Sequence, residues 1–286
     1  MIDQIKKEIF LNKSKFHIKD FNMEDIHISK FFHGSPVSNN KVIFFVSILN
    51  TPLCIMKIVR NKKFNLIIER EVAGMNYFAK NNILTPKIFF SGDISENRYV
   101  CEEILNTGPV GKSGEVQAFN LVAEYHKGVK KGNKINIGEI ISRVNNLNIK
   151  GDLEFDEVIR ILNSYKDNDL SRAPQHGDLT CRNIFVKNGK LILIDLENFG
   201  LRSIWGSDVV HYLSRIFNSH VLDGIETAML NFVKNTHQFR LSYTLGISDL
   251  ECGELFLIDF LFDVLQKNHP EIYTEIIGVM SDLWLE

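Results

Sequence analysis

Gln175-His-Gly-Asp-Leu-Thr-Cys-Arg-Asn-Ile-Phe-Val-Lys-Asn-Gly-Lys-Leu-Ile-Leu-Ile-Asp195 holds, at Asn188-Gly189, a two-residue turn signal between apolar runs. Asn-Gly suits a type I′ turn, whose backbone twist matches that of the flanking strands. If these two residues form the turn, Lys187 pairs with Lys190, Asn183 faces Ile194, and Asp195 comes beside Arg182. The hairpin then carries Asn183 and Asp195 to the same end of a rigid ribbon. Asp178, five residues before Asn183, lies in the loop that leads into it.

An amide and a carboxylate side by side are hard oxygen ligands, suited to Mg²⁺ carrying a polyphosphate. Asp178 is placed to accept a proton from an attacking hydroxyl and to orient it. Phosphoryl transfer asks little more of a protein than positioning and charge neutralisation. Asp195 closes the apolar run Leu191–Ile194, where a carboxylate without a partner costs about 1–3 kcal/mol. A solvated turn region therefore explains the stretch poorly.

Upstream, Lys41–Leu49 and Leu53–Val59 are β-branched and aromatic runs split by Asn50-Thr51-Pro52, and predict a second hairpin. Between residues 66 and 80, apolar side chains at 67, 68, 72, 75, 78 and 79 have the spacing of a helix with one buried face. Ile88-Phe-Phe90 and Tyr99-Val-Cys101 predict two further strands. The front half thus reads as strands around one helix. Helices dominate from Glu115 onward, with Val116–Lys127 and Ser248–Gln266 the clearest, interrupted by the β segment 184–195. Asn, Thr, Gly and Pro cluster at Leu105–Gly111, which sets the expected domains at 1–104 and 105–286.

Lys57 sits inside an apolar strand, with Ile55 and Val59 on its own face. A buried ammonium needs a counter-charge. Glu71 lies in the apolar stripe of the following helix, with Ile67 and Ile68 before it and Met75 and Phe78 after, while Glu69 turns to the polar side. Glu71 is therefore the expected partner, holding Lys57 toward phosphate oxygens.

His-Gly-Asp-Leu-x-x-x-Asn followed by Ile194-Asp-Leu-Glu197 resembles the phosphotransferase family of aminoglycoside and choline kinases, built on the protein-kinase fold. The resemblance extends over most of the chain. His33-Gly-Ser-Pro36 resembles the loop that covers the phosphates, although Val37-Ser-Asn-Asn40 brings no glycines to it. Ile68-Glu-Arg-Glu71 resembles the helix with the paired Glu, Glu102-Glu-Ile104 stands where the adenine-binding hinge would be, and Ala123-Glu-Tyr-His126 resembles the helix before the catalytic loop. The resemblance implies a two-lobed α+β fold, with a small β-rich lobe and a larger helical one. It implies Asp178 as catalytic base or orienter, and Asn183 and Asp195 as Mg²⁺ ligands. Ser35, Lys57, Glu71, Glu102 and Ile104 would attend the nucleotide, ATP or GTP. His176 is expected to scaffold the loop, and Asp208, in Trp205-Gly-Ser-Asp208, to buttress it. The acceptor would be a hydroxyl of a sugar, amino sugar, aminoglycoside or amino alcohol. The alternatives are a kinase-like nucleotide-binding regulatory module, which the full residue set speaks against, and a protein kinase, for which the segment after Asp195 leaves little room.

Other signals weigh less. Asn106-Thr-Gly-Pro-Val-Gly-Lys-Ser113 approaches the phosphate-loop pattern G-x-x-x-x-G-K-[ST], but Asn replaces its first glycine and no βαβ alternation follows, so a linker with a solvated Lys112 is expected. His126 reads as packing, His211 and His220 lack metal-ligand spacing, Glu197 could reach substrate or water, and Phe256–Phe262 reads as helix core.

With 44% hydrophobic and 24% charged residues in 286, the composition is that of a globular protein with a sizeable core. Residues 1–104 hold 15 Lys+Arg against 11 Asp+Glu, and residues 105–286 hold 18 against 24. A basic front and an acidic rear suit a triphosphate and a polar or cationic acceptor, or are simply solvated surface. No basic stripe with interleaved aromatics suggests nucleic acid. No apolar run reaches membrane-spanning length, and none of signal-peptide length stands at the start. Four scattered cysteines without a C-x-x-C pair fit a reducing cytoplasm.

Overall fold

The computed structural model describes residues 1–16, 18, 21–31, 40–110, 114–217 and 224–270. The chain divides into two compact units, Met1–Gly108 with Ile192–Glu197, and Pro109–Leu191 with Asn198–Glu286. The fold class is α+β, an antiparallel sheet in the first unit and mainly helices in the second.

The first unit opens with α1 (Ile2–Leu11), followed by β1 (Ile26–Phe31), β2 (Lys41–Ile48), β3 (Thr51–Val59), α2 (Asn65–Lys80), β4 (Ile88–Ile94) and β5 (Asn97–Glu102). The strands form one antiparallel sheet in the order β1-β2-β3-β5-β4. One face carries Phe44, Val46, Ile48, Cys54, Met56, Ile58, Tyr99 and Cys101, and α1 buries Ile5 and Ile9 in the same core. Each such fully buried side chain contributes roughly 1.5–3 kcal/mol. On the other face Val59 and Val100 meet Ile68 of α2.

The helix predicted over 66–80 is α2, and Glu69 is exposed while Glu71 is buried, as the spacing requires. Ala79 is exposed, so the buried stripe ends at Phe78. α1 was not expected: two isoleucines four apart in ten residues are a weak period, and its burial comes from the sheet beneath it. The turn between β2 and β3 also differs from the predicted three-residue split. Leu49 and Asn50 form it, both at positive φ, and Thr51-Pro52 already belong to β3. A bulge follows, with the pairing shifting between Ser47↔Pro52 and Val46↔Cys54.

The second unit contains α3 (Glu115–Gly128), α4 (Ile137–Asn145), α5 (Leu153–Leu162), α6 (Ser207–Phe217), α7 (Ile225–Thr236), α8 (Leu241–Thr244) and α9 (Asp249–Asn268), with a few short strands between them in sequence. Ser248 caps α9 with a reciprocal bond to Glu251. Phe256 and Phe262 are core residues, with Phe256 stacked on Phe232 at 4.8 Å. A small ribbon of β6 (Lys134–Asn136) and β7 (Asp169–Ser171) adds to the single β segment expected; strands of three residues are too short to leave an alternating pattern. β8 (Ile184–Lys187) and β9 (Lys190–Leu193) form the hairpin, and Asn188 and Gly189 both have positive φ, as a type I′ turn demands. Among the described residues, no helix is long and apolar enough to cross a membrane.

Candidate active site

Two polar clusters contain most of the residues singled out above, one in each unit. In the first unit, Ile43 pairs with Lys57 and Lys41 with Val59, so both lysines project from the face that α2 covers. Lys57 Nζ bonds Glu71 Oε1 and lies 2.8 Å from Glu102 Oε1. Lys41 Nζ lies 2.5 Å from Asp195 Oδ1, 2.8 Å from Glu197 Oε2 and 3.7 Å from Glu71 Oε2. Asp195 follows β9 with φ at 59°, a left-handed conformation that is uncommon for a residue with a side chain and concentrates at functional sites.

Two ammonium groups face four carboxyl groups here, and burial sharpens the imbalance. Burial pushes Glu102 up to about 7, with Glu71 adding to the rise and Lys57 opposing it. Burial likewise pushes Glu197 up to about 6, with Asp195 adding and Lys41 opposing. Burial works against the charge on Lys41, but Asp195, Glu197 and Glu71 outweigh it and hold its pKa well above the usual lysine value.

Lys41 escaped the sequence reading for a physical reason. Val42–Val46 is apolar on both faces, so no alternation says which way Lys41 points. The register says it, and the bulge between Val46 and Ser47 moves that register by one residue. Glu102, expected at a nucleotide hinge, directs its carboxylate inward to Lys57, and Ile104 lies half-buried just beyond β5. Glu197 spends its carboxylate on Lys41 rather than on water alone. Ser35 and the loop His33–Pro36 lie outside the described residues.

In the second unit the cluster is built on the loop before β8. His176 N and Gly177 N donate to the two oxygens of Asp208, at 2.6 and 2.9 Å. Tyr125 Oη donates to Asp208 at 2.5 Å, and Asp208 N donates to Gln175 Oε1 at 3.1 Å. Gly177 has φ at 86°, and a Cβ there would overlap the carbonyl oxygen of Asn198. His176 is buried and accepts at Nδ1 from Asp178 N, 3.3 Å away.

Asp178 itself is partly open, its side chain 41% exposed. Asn183 Nδ2 donates to its carbonyl at 2.8 Å and to Oδ2 at 3.2 Å, while Oδ1 lies 3.2 Å from His211 Nε2. Burial alone would raise the Asp178 pKa, but the bond from His211 and the charges of His211 and Arg202 outweigh it and bring it below the usual aspartate value. Sequence reasoning missed His211, since only the packing of α6 brings it to the loop. His211, Asp259 and Asp263 cluster tightly enough for a metal ion, but the Arg202 guanidinium bonds both carboxylates. His126 packs against Trp205, ring centres 4.3 Å apart. In the segment resembling a phosphate loop, Val110 N bonds Ile184 O of β8 at 2.9 Å, and residues 111–113, Lys112 among them, lie outside the described residues.

No protein-family model matches the chain, and no curated protein matches it in sequence. Solved structures do match in fold. A macrolide 2′-phosphotransferase type I superposes with a TM-score of 0.56 at 11% identity, covering 97% of this chain and 95% of its own. A protein described as a fructosamine-3-kinase, from Haemophilus somnus, gives 0.54 at 15% identity over 99% and 95%. A thermostable mutant of an aminoglycoside phosphotransferase, in ternary complex with AMP-PNP and hygromycin B, gives 0.54 at 11% over 98% and 97%. The chain therefore has the protein-kinase-like fold shared by these small-molecule phosphotransferases.

Proposed function

We propose that the protein is a small-molecule kinase that transfers the γ-phosphate of ATP to an alcohol group. The observation that carries this is the buried Lys57–Glu71 pair on the same sheet face as Asp195, in a fold shared with phosphotransferases. A lysine pinned by a buried glutamate is rigid, which suits a group that must meet phosphate oxygens without reorganising.

The donor chemistry fits Mg²⁺: an excess of carboxylates over ammonium groups, all hard oxygen donors. In the first unit Asp195 would be the ligand for the ion; in the second, Asn183 commits its amide nitrogen to Asp178 and keeps its amide oxygen as a ligand atom. Bound there, Mg²⁺ would neutralise charge on the polyphosphate. Asp178, open to an incoming hydroxyl and held below the usual aspartate pKa, would orient the nucleophile more than it would deprotonate it early. The neighbours in the solved structures act on a macrolide, fructosamine or an aminoglycoside by their names, so the acceptor classes to examine are sugars, amino sugars, aminoglycosides and amino alcohols.

The test is a nucleotide-consumption screen over those classes, repeated with Asp178→Ala. Turnover with one class, abolished by Asp178→Ala while nucleotide still binds, is the expected result. Tight binding of Mg·ATP with no turnover for any class would favour a regulatory nucleotide-binding module. Activity that survived Asp178→Ala but vanished with Lys112→Ala would move the chemistry to the 106–113 segment.

A further inference from the structure

Resting on the role given to Asp178 above, we propose that His211 is a positioning residue. Its imidazolium, held from behind by Asp259, presents Nε2–H to Asp178 Oδ1 and fixes the carboxylate that meets the acceptor hydroxyl.

His211 is fully buried on α6, with Nε2 3.2 Å from Asp178 Oδ1 and Nδ1 2.8 Å from Asp259 Oδ1 on α9. Arg202 Nη1, which bonds Asp259 Oδ1, meets His211 Nδ1 as well, and a neutral ring accepting there would still donate at Nε2 to Asp178. A neutral imidazole has one N–H, so donation to both carboxylates takes the doubly protonated ring. The groups around it balance in that state. The catalytic-loop segment contributes Asp178 and the segment after β9 contributes Arg202; α9 contributes Asp259 and Asp263, and α6 itself Arg215. From α3, Tyr125 reaches Asp208, one turn before His211. Apart from Asp208, which Tyr125 and the backbone nitrogens of His176 and Gly177 satisfy, three cations then face three anions. Burial works against the charge on His211 and Arg202 opposes it, but Asp259 and Asp178 outweigh both and raise its pKa.

A buried ionic network is a poor source of stability, because apolar residues of similar volume pack as well without the desolvation cost. Its use lies in geometry. Asp259 is itself fixed by Arg202 and by Ser214 Oγ at 3.2 Å, so the imidazole has one orientation available. With Asn183 Nδ2 on Oδ2 and His211 Nε2 on Oδ1, both oxygens of Asp178 are tethered, and its exposed edge has a set direction.

The first arm of the test needs no substrate. In ¹⁵N NMR of the imidazole, His211 should be doubly protonated at neutral pH, and Asp178→Asn should lower its pKa by about one unit. An unmoved His211 titration in Asp178→Asn would overturn the proposal. The second arm uses the acceptor found by the screen. His211→Ala should lower kcat about 100-fold with little change in KM for nucleotide. His211→Gln, whose amide can donate to Asp178, should recover part of that loss. Wild-type kcat should fall as the pH rises through the His211 pKa, and His211→Gln should lack that limb. Equal losses in kcat and KM, or an unchanged pH profile in His211→Gln, would count against positioning. Full turnover in Asp178→Ala with the NMR coupling intact would instead remove the role assigned to Asp178 and leave the contact standing.

Discussion

The ammonium of Lys41 lies 2.5 Å from Asp195 Oδ1 and 2.8 Å from Glu197 Oε2, bridging both carboxylates. Lys41 and a divalent ion would compete for the same oxygen atoms. Lys41→Met should therefore tighten the binding of Mn²⁺ alone about tenfold, a modest share of the interaction of two charges at this range. Electron paramagnetic resonance of free Mn²⁺ measures this directly, and an equal or weaker affinity would refute it.

Removing the other lysine acts on stability. Lys57→Met leaves Glu71 and Glu102 buried without their shared counter-charge. Breaking one side of a buried ion pair costs about 3–5 kcal/mol. Urea unfolding should show a midpoint lowered accordingly, and Glu71→Gln in the same background should restore part of it.

Glu102 gives the fold a pH dependence of definite sign. Its folded pKa is about 7, above the unfolded glutamate value of about 4.3. Between those values the folded protein keeps a proton that the unfolded chain has lost, so stability falls as the pH rises. The slope from this group is at most about 1.4 kcal/mol per pH unit, and it vanishes outside the window. Glu102→Gln should flatten the stability–pH curve between these limits. A curve of the same slope in that variant would show that another group carries it.

Asp208 anchors the loop that presents Asp178, through the backbone nitrogens of His176 and Gly177. Asp208→Ala strands two buried donors and the Tyr125 hydroxyl, at about 1–3 kcal/mol each. Loss of stability by several kcal/mol and of turnover together is expected, measured by thermal unfolding and by the kinase assay. Retained activity would mean that the loop holds its shape without this anchor.

Gly177→Ala should be severe for a separate reason. Its φ of 86° disfavours any Cβ, and the added methyl would meet the Asn198 carbonyl. A loss of about 1–3 kcal/mol from backbone strain alone is expected, with more from the overlap. Wild-type thermal stability in this variant would show that the loop can relax.

Much of the fold and part of the site could be read from local pattern. Asn188-Gly189 specifies its turn because only a few residues accept two successive positive φ angles, and the turn sets which residues flank the hairpin. Glu71 and Glu69 could be told apart because a helix places residues on a face by fixed rotation. The same logic failed at Lys41, where a strand apolar on both sides carries no phase, and at α1, whose short period gains meaning only against the sheet.

By itself the sequence determined the elements whose period or turn chemistry is local: α2, α9, the Asn188-Gly189 hairpin, and the pairing of Lys57 with Glu71. Tertiary structure alone decided where Lys41, Glu102 and His211 point. A bulge shifted one register by a residue, a strand end turned a carboxylate inward, and the packing of α6 on α9 set an imidazole between two aspartates. Such placements depend on contacts between segments far apart in the chain, and no pattern within either segment encodes them.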